Sequence, residues 1–103
     1  MKPNSNELAA LQRLWKIANG HSGQCRIVAR FLLGLYNGTR FPFDLTDFRS
    51  LDNAIFLDCQ KVMVMDSRPW KEVHVLLKED GATDVDFERL ASDWRIPNAK
   101  WED

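Results

Sequence analysis

The strongest constraint on the fold is a nearly unbroken apolar segment at residues 23–37, GQCRIVARFLLGLYN. From its third residue to its tyrosine, only Arg26, Arg30 and Gly34 interrupt the apolar and aromatic side chains. A helix that is apolar on nearly every side must be buried on nearly every side. The segment therefore predicts a central helix on which the other elements pack. Ser22 would cap it, Gly38 would end it, and Gly34 would let a neighbour come close.

A first helix is predicted at about residues 5–19. Asn4 can accept a hydrogen bond from an amide of the first turn, and Glu7, three residues later, can reach back to the Asn4 amide. Apolar residues then recur every three or four positions. Gly20 follows where a residue of left-handed conformation commonly ends a helix.

The stretch FPFDLTDFRSLD at residues 41–52 holds three aspartates, for which there are two hypotheses. Three nearby carboxylates can bind a divalent cation, but apolar residues interrupt them at helical spacing, and the glycine bend of a calcium loop is missing. Capping explains the same residues more simply. Asp44 would start a short helix at 45–50, Asp47 would lie in its first turn, and Asp52 would start a long helix at about 53–65.

Two more helices are predicted after a DSRP turn. Pro69 suits the first position of a helix that extends to Gly81, because a missing amide costs nothing there; a last helix covers about residues 84–94. A hairpin is the rival for residues 61–77, since KVMVM and EVHVLL nearly alternate β-branched residues around the turn. Length and caps favour helices. We therefore predict an all-α single compact domain of five or six helices over residues 1–96, with a short tail at 97–103.

Charge is unevenly distributed, although the formal net charge is only −1. Residues 1–40 hold six basic residues and one acid, whereas residues 41–103 hold eight basic residues and fourteen acids. Such halves face each other in part or leave charged patches for a partner. We expect the acidic half to contact a protein or ribonucleoprotein partner through exposed charges and two aromatic anchors. These residues are Trp70, Asp80, Asp84, Asp86, Glu88, Asp93 and Trp101.

A basic stripe that binds phosphates is the alternative hypothesis. It would consist of Arg13, Lys16, Arg26, Arg30 and Arg40. Two helices around a short turn also suggest a helix-turn-helix, but a recognition helix must present a polar face to the groove of DNA. Residues 23–37 have almost no such face. We therefore expect the stripe to pair with the acidic half, and nucleic-acid binding remains the second hypothesis.

Few residues could support catalysis. His21 and Ser22 lie near Cys25, which suggests a base beside a nucleophile, but an exposed imidazole after a helix C-terminus is the simpler explanation. His74 suits the edge of the core. Cys25 and Cys59 lie in apolar stretches without the nearby second ligand that zinc needs, so we expect small core residues. The sequence has no phosphate-binding glycine loop, HExxH, CxxC or G-x-S-x-G motif, and we predict no enzymatic activity, cofactor or metal.

The first twenty residues carry charged side chains at positions 7, 13 and 16 within their apolar pattern. A signal peptide or a membrane span would keep this segment free of charge. The two cysteines lie far apart in sequence, which suits a reducing compartment. We therefore expect a cytoplasmic protein that does not bind a membrane.

The string ALQRLWKIANGHSGQCRIVARFLLGLYNG, followed by FDLTDF and the step from Leu51 to Ile55, carries a resemblance over about residues 9–60. It resembles a family of small uncharacterised bacterial proteins carried on plasmids, prophages and other mobile elements, from whose T-G-Q-S turn this chain departs at Ser22 and Cys25. The resemblance implies a setting and no catalytic residues. We predict a non-catalytic binding module that regulates or inhibits a host or defence complex, for example a CRISPR effector.

Overall fold

The structure, a computed structural model, describes residues 3–68, 71–77 and 84–98. Among them no strand occurs, and the regular structure consists of five α-helices and one 3-10 helix. In chain order these are α1 (Ser5–Ala18), α2 (Gly23–Tyr36), the 3-10 helix (Leu45–Ser50), α3 (Asn53–Ser67), α4 (Val73–Leu76) and α5 (Asp84–Trp94). The predicted all-α fold is confirmed. The hairpin at residues 61–77 is excluded, because α3 covers residues 61–67 and α4 covers residues 73–76, where its two strands would lie.

Among the described elements, the α2 helix is the most enclosed. After Gly23, every residue of α2 is buried or half-buried, and α1, α4, α5 and the 3-10 helix pack against it. Gly34 allows one close approach, because a Cβ atom there would lie 3.3 Å from the Phe41 carbonyl oxygen. The prediction of a central helix is confirmed with one correction: α3 packs mainly against α1.

Three predicted helix caps are confirmed. The Asn4 side chain accepts from the Glu7 amide at 2.8 Å, and the Glu7 carboxylate accepts from the Asn4 amide at 3.0 Å. The Ser22 side chain caps α2. The Asp44 carboxylate accepts from the Thr46 amide at 2.9 Å and starts the 3-10 helix. Each of these bonds joins residues two or three positions apart, which is why local sequence predicted them.

The predicted cap at Asp52 is wrong. Asp52 occupies the position before α3, but its side chain makes no capping hydrogen bond. Instead, its carboxylate accepts from Gln24 Nε2 at 3.1 Å, and its amide donates to Gln24 Oε1 at 2.6 Å. Asp52 thus ties the start of α3 to the first turn of α2, and a tertiary contact takes the place of the local cap.

The predicted role of Gly20 is also wrong. Gly20 does not have a left-handed backbone; α1 ends at Asn19, whose φ is −92°. A Cβ atom on Gly20 would lie 2.7 Å from Cys25 Sγ. The same atom would lie 3.1 Å from the Ile17 carbonyl oxygen, so the next helix and the last turn of α1 together leave little room for a side chain here.

The left-handed helix end lies instead at Arg95, after α5. Arg95 has a φ of 53° and is the only non-glycine residue with a positive φ in the described part of the chain. Its amide donates to the Ser92 carbonyl at 3.1 Å, and the Ile96 amide donates to the Ala91 carbonyl at 2.9 Å. These two bonds form the Schellman motif that commonly ends a helix at glycine.

The α4 helix is shorter than predicted. Lys71 and Glu72 are not helical, and the helix begins at Val73 instead of Pro69. Val73 and the adjacent Leu77 are both fully buried, so a single turn is enough to place both in the core. Pro69 and residues 78–81 lie outside the described residues.

The core joins all the helices that surround α2. Its largest fully buried side chains come from α1, α2, the loop after α2, α3 and the elements that follow α3. They include Leu11, Leu14, Leu32, Leu33, Phe41, Leu77, Phe87 and Leu90. Cys59 is buried in the same cluster, as predicted, and burial raises the pKa of its thiol to about 12.

Candidate functional site

Four of the seven predicted partner-binding residues cannot be placed as surface contacts. Trp70, Asp80 and Trp101 lie outside the described residues. Asp84 is the first residue of α5, and its side chain also falls outside the described part. Neither aromatic anchor therefore enters the site that follows.

The three remaining acids, all on α5, bind arginines of the same chain. Asp93 is exposed and accepts from Arg89 at 2.8 Å, while the half-buried Asp86 lies 3.8 Å from Arg89. Glu88 accepts two hydrogen bonds from Arg40, both of 2.7 Å. The Glu88 side chain is partly exposed, as predicted, but its carboxylate is held by a cation of the basic half, and its contact with a partner stays a prediction.

The Arg40–Glu88 ion pair joins the loop after α2 to α5. Arg40 is the less accessible member, with 12% of its side chain exposed against 39% for Glu88. The Tyr36 hydroxyl also donates to Glu88, at 2.7 Å. The hydrogen bonds from Arg40 are the main reason that the pKa of Glu88 lies below its usual value, with burial opposing them. Bidentate geometry of this kind gives a strong and well-oriented ion pair.

Beneath this pair lies a stack of aromatic rings. The Phe87 ring stacks on Trp15 at 4.8 Å and on Tyr36 at 4.9 Å. The His74 ring meets Tyr36 edge-on at 5.3 Å, which confirms the prediction that His74 lies at the edge of the core. Aromatic pairs at these distances stabilise a core beyond the area they bury.

A second bidentate pair joins α1 to α3. Arg13 Nε and Nη2 each donate to the Asp58 carboxylate at 2.8 Å, and Lys61 Nζ lies 3.8 Å from the same carboxylate. Here the carboxylate is the enclosed member, since 11% of the Asp58 side chain is exposed against 53% for Arg13. The hydrogen bond from Arg13 outweighs burial and lowers the pKa of Asp58.

A groove of about 390 Å³ lies along this second pair, and we call it the α1–α3 groove. Its lining combines aliphatic side chains with two cations and the carboxylate that both cations approach. The lining residues are Arg13, Ile17, Ala54, Ile55, Leu57, Asp58 and Lys61. Pockets of this kind, mostly apolar with a few placed charges, are typical of binding sites.

The outer side of α3 continues the apolar surface beyond the groove. Four exposed residues, which we call the α3 stripe, are Ala54, Leu57, Lys61 and Val64. Leu57 is 45% exposed and Val64 is 59% exposed, although the opposite side of the helix is buried through residues such as Val62. Spacings of three, four and three residues align the stripe along one face of the helix. Helix α3 therefore has apolar residues towards both the core and the solvent.

Sequence reasoning missed this surface and the burial of Asp58. The apolar spacing of residues 53–65 predicts a single face towards the core, which holds Ile55, Phe56, Cys59, Val62, Met63 and Met65. The spacing of the α3 stripe was visible in the sequence. However, apolar residues at so many positions of one helix do not show which of them face outward.

The predicted basic stripe is divided among internal ion pairs. Arg13 binds Asp58, Arg40 binds Glu88, and Arg30 approaches Asp47 at 3.2 Å. Each pair joins a base from residues 1–40 to an acid of the second half, as expected from the charge distribution. Arg26 is half-buried and Lys16 is exposed. The five residues thus do not form one row of equally accessible cations.

The three aspartates of residues 44–52 go to three different partners. Asp44 accepts from Thr46 at 2.7 Å through the hydroxyl, Asp47 faces Arg30, and Asp52 binds Gln24. Within the described ranges, no group of three histidine, cysteine, aspartate or glutamate residues is arranged to hold a metal ion.

The residues near His21 already have other partners, which weakens the catalytic hypothesis centred on this histidine. The Ser22 hydroxyl accepts from the Cys25 amide at 3.3 Å and donates to Cys25 Sγ at 3.1 Å. Partial burial raises the pKa of Cys25, but hydrogen bonds to its sulfur from the Ser22 hydroxyl and from backbone amides of residues 21, 22 and 25 outweigh it, and the pKa lies below its usual value. His21 is exposed and lines a polar pocket of about 280 Å³ with Asp93 and Arg89, which bind each other. Ser22 therefore acts as a helix cap, and the pocket's carboxylate is held in an ion pair.

A second apolar groove, of about 210 Å³, lies between α2 and the 3-10 helix. Phe43, Leu45, Phe48 and Met63 contribute to its walls, and Gly34 lies in its lining. It carries no charged lining residue, so nothing in its chemistry selects one class of partner over another.

Comparisons with known proteins provide a family and no function. Residues 8–95 match the model of a family described as a family of unknown function (DUF7673). No curated protein matches the chain, and no solved structure does. In the described part of the chain, no helix has both the length and the apolar character needed to cross a lipid bilayer.

Proposed function

The chain belongs to the family of unknown function DUF7673, and we propose that it is a non-catalytic module that binds a partner protein. The observation that carries this proposal is the exposure of Leu57 and Val64 on a helix whose other side is already buried in the core. Exposed apolar residues that are aligned beside a groove commonly mark a protein contact, whereas scattered ones do not.

The structure changes which surface we propose for the contact. The acidic residues of α5 were the expected contact, but Glu88, Asp86 and Asp93 bind arginines of the same chain. An arginine at 2.7–2.8 Å offsets the negative charge of Glu88 and of Asp93, so each carboxylate attracts a partner's cation less strongly. We therefore assign the contact to the α3 stripe and the α1–α3 groove.

The biological setting remains a prediction. The resemblance to proteins of plasmids, prophages and other mobile elements suggests a partner in the host. A module that regulates or inhibits a defence complex, for example a CRISPR effector, would fit that setting. Cytoplasmic location is proposed on the same basis. The family match is silent on each of these points.

Affinity capture, followed by a binding measurement with the purified partner, tests the proposal. The tagged chain would retain a protein from a nuclease-treated bacterial lysate; that protein would then be purified and mixed with the chain at known concentrations. We expect a stoichiometric complex that is lost when Leu57→Ser and Val64→Ser are combined. Val85→Ser is the matched control, because Val85 is 75% exposed on α5, away from the groove.

Three results would contradict the proposal. The first is that no protein forms a stoichiometric complex with the wild-type chain. The second is a complex that survives the double substitution on α3. The third is an enzymatic activity that His21→Ala abolishes while the folded structure is retained.

A further inference from the structure

The α1–α3 groove has a chemistry that selects one kind of partner. Its floor is aliphatic, through Ile17 and Leu57, and the exposed Val64 extends the apolar surface along α3. Its edge carries Arg13 and Lys61, both about half exposed, and one enclosed carboxylate, Asp58. Two cations approach a single carboxylate, so the groove has an excess of one positive charge.

We propose that the α1–α3 groove binds an amphipathic helix of a partner protein, with apolar residues against Leu57 and Val64 and acidic residues facing Lys61, the cation that the Arg13–Asp58 pair leaves in excess. This inference rests on the proposed protein-binding function and specifies the chemistry of the partner. A helix lying in an apolar groove, held by residues one turn apart, is a recurring mode of recognition. Carboxylates at the groove edge would add orientation and specificity through charge complementarity.

The shape of the stripe favours a helix over an extended peptide. From Ala54 to Val64 the stripe spans about three turns, or roughly 15 Å along α3. Its spacing of three, four and three residues is the spacing with which two packed helices meet each other. An extended strand would instead need an open sheet edge, and the described part of this chain contains no sheet.

The edge of the groove is already ordered before a partner binds. The two 2.8 Å hydrogen bonds from Arg13 to Asp58 fix the guanidinium between α1 and α3. A fixed cation loses less conformational entropy on binding than a free one. Lys61 lies 3.8 Å from the same carboxylate, which Arg13 already holds more closely, and can turn towards an incoming acid.

Two other occupants fit the charges less well. In a symmetric contact between two copies of this chain, the groove of one copy would meet the groove of the other, so the positive excess of each would face a like charge. A nucleic acid would meet an apolar floor and an enclosed carboxylate, whereas phosphate binding depends on several cations acting together. Both occupants serve as outcomes of the test.

The test uses synthetic peptides in place of the unidentified partner. The first is an amphipathic peptide of about 18 residues, long enough to be partly helical alone, with leucine along one face and glutamate at the flanking positions. The second has lysine in place of every glutamate. The third has serine in place of every leucine. Each is titrated into isotope-labelled full-length protein, and binding is followed by shifts of the backbone amide resonances.

We expect saturable shifts on α1 and α3 with the glutamate peptide, and binding at least about tenfold tighter than with the lysine peptide, a difference of about 1.4 kcal/mol. Lys61→Glu should remove or reverse this preference. Lys71→Glu makes the same change of net charge at an exposed residue outside the groove lining, and should leave the preference unchanged. The serine peptide should not bind.

Several results would overturn the inference. They are equal affinity for the glutamate and lysine peptides, shifts centred outside α1 and α3, or displacement of the peptide by a short DNA or RNA. A dimer seen by sedimentation that Val64→Glu abolishes would do the same. A captured protein partner that binds Lys61→Glu as well as wild type would overturn this inference and leave the proposed function intact. The absence of any captured protein would count against the proposed function, whatever the peptides do.

Discussion

Two sides of the molecule each contain a bidentate arginine–carboxylate pair, but the member of the pair that is more exposed differs between them. Between α2 and α5, the cation Arg40 is the enclosed member and Glu88 faces outward. Between α1 and α3, the carboxylate Asp58 is enclosed and Arg13 faces outward. The first pair covers a stack of aromatic rings, whereas the second borders an apolar groove. The α2–α5 pair therefore stabilises the fold. The α1–α3 pair instead forms a cationic edge beside exposed apolar residues.

The difference shows that an arginine–carboxylate pair does not by itself indicate a site. What matters is which charge remains accessible and what lies next to it. At the α2–α5 side, the exposed charge is an acid above packed rings. At the α1–α3 side, the exposed charges are two cations beside Leu57, and that combination suits a partner.

The largest expected effect comes from the aromatic stack. Phe87→Ala should lower the free energy of unfolding by about 3–5 kcal/mol, because a fully buried ring that stacks on Trp15 and Tyr36 leaves a cavity. Urea denaturation measures this. Val85→Ala, two residues earlier and mostly exposed, is the control and should change it by less than about 0.5 kcal/mol. Similar losses for both variants would mean that the α2–α5 side is not tightly packed.

The next largest effect concerns the two ion pairs, which should contribute differently to the free energy of unfolding. Glu88→Ala removes the carboxylate that binds the enclosed Arg40 guanidinium, and we expect a loss of about 1–3 kcal/mol. Asp58→Ala removes the partner of the more exposed Arg13, which water can solvate, so the loss should be smaller. Urea unfolding of both variants at pH 7 tests this order. Equal losses would remove the contrast between the two sides.

Acid should weaken both pairs. Because arginine hydrogen bonds lower the pKa of Asp58 and of Glu88 in the folded chain, their stabilisation is complete above the usual carboxyl pKa. It is lost as the pH falls through the lowered values. We therefore expect the unfolding free energy to fall less between pH 7 and pH 3 in Asp58→Asn and Glu88→Gln than in wild type. An identical pH dependence in the variants would show that these carboxylates contribute little.

The α2–α5 side also contains a residue, Arg95, whose replacement should increase the stability of the protein. Arg95 has a left-handed backbone at the end of α5, which costs a residue with a side chain about 1 kcal/mol relative to glycine. Arg95→Gly should raise the free energy of unfolding by about that amount. Arg89→Gly, in the interior of α5, should lower it. A loss of stability in Arg95→Gly would mean that the arginine side chain makes a contact that stabilises the fold by more than the left-handed backbone costs.

The smallest expected effect is on the α1–α3 side. Leu57→Ser combined with Val64→Ser should change the free energy of unfolding by no more than about 0.5 kcal/mol for each exposed position. Val62→Ser, on the buried side of the same helix, should instead be strongly destabilising. A large loss in the double variant would show that these residues support the fold, and the contrast between the two sides would disappear.

Much of the fold could be predicted from local sequence, but the candidate site could not. The Asn4–Glu7 capping box, the caps at Ser22 and Asp44, and the span of α5 involve residues close together along the chain. The α1–α3 groove depends on Arg13 and Asp58, which are 45 positions apart. No local pattern shows that this acid, and not a neighbouring one, would be enclosed.

The sequence by itself determined that the chain is helical and that residues 23–37 form its central helix, and it favoured ion pairs between the basic first part and the acidic second part. These properties follow from hydrophobic periodicity, capping and the distribution of charge, which depend on residue types and their spacing along the chain. Only the tertiary structure decided that Asp52 would bind Gln24, that Gly20 would make room for Cys25, and that Leu57 would face the solvent. The physical reason is that each outcome depends on which helices become neighbours. Packing then replaces a local hydrogen bond at Asp52 and leaves the outer face of α3 uncovered.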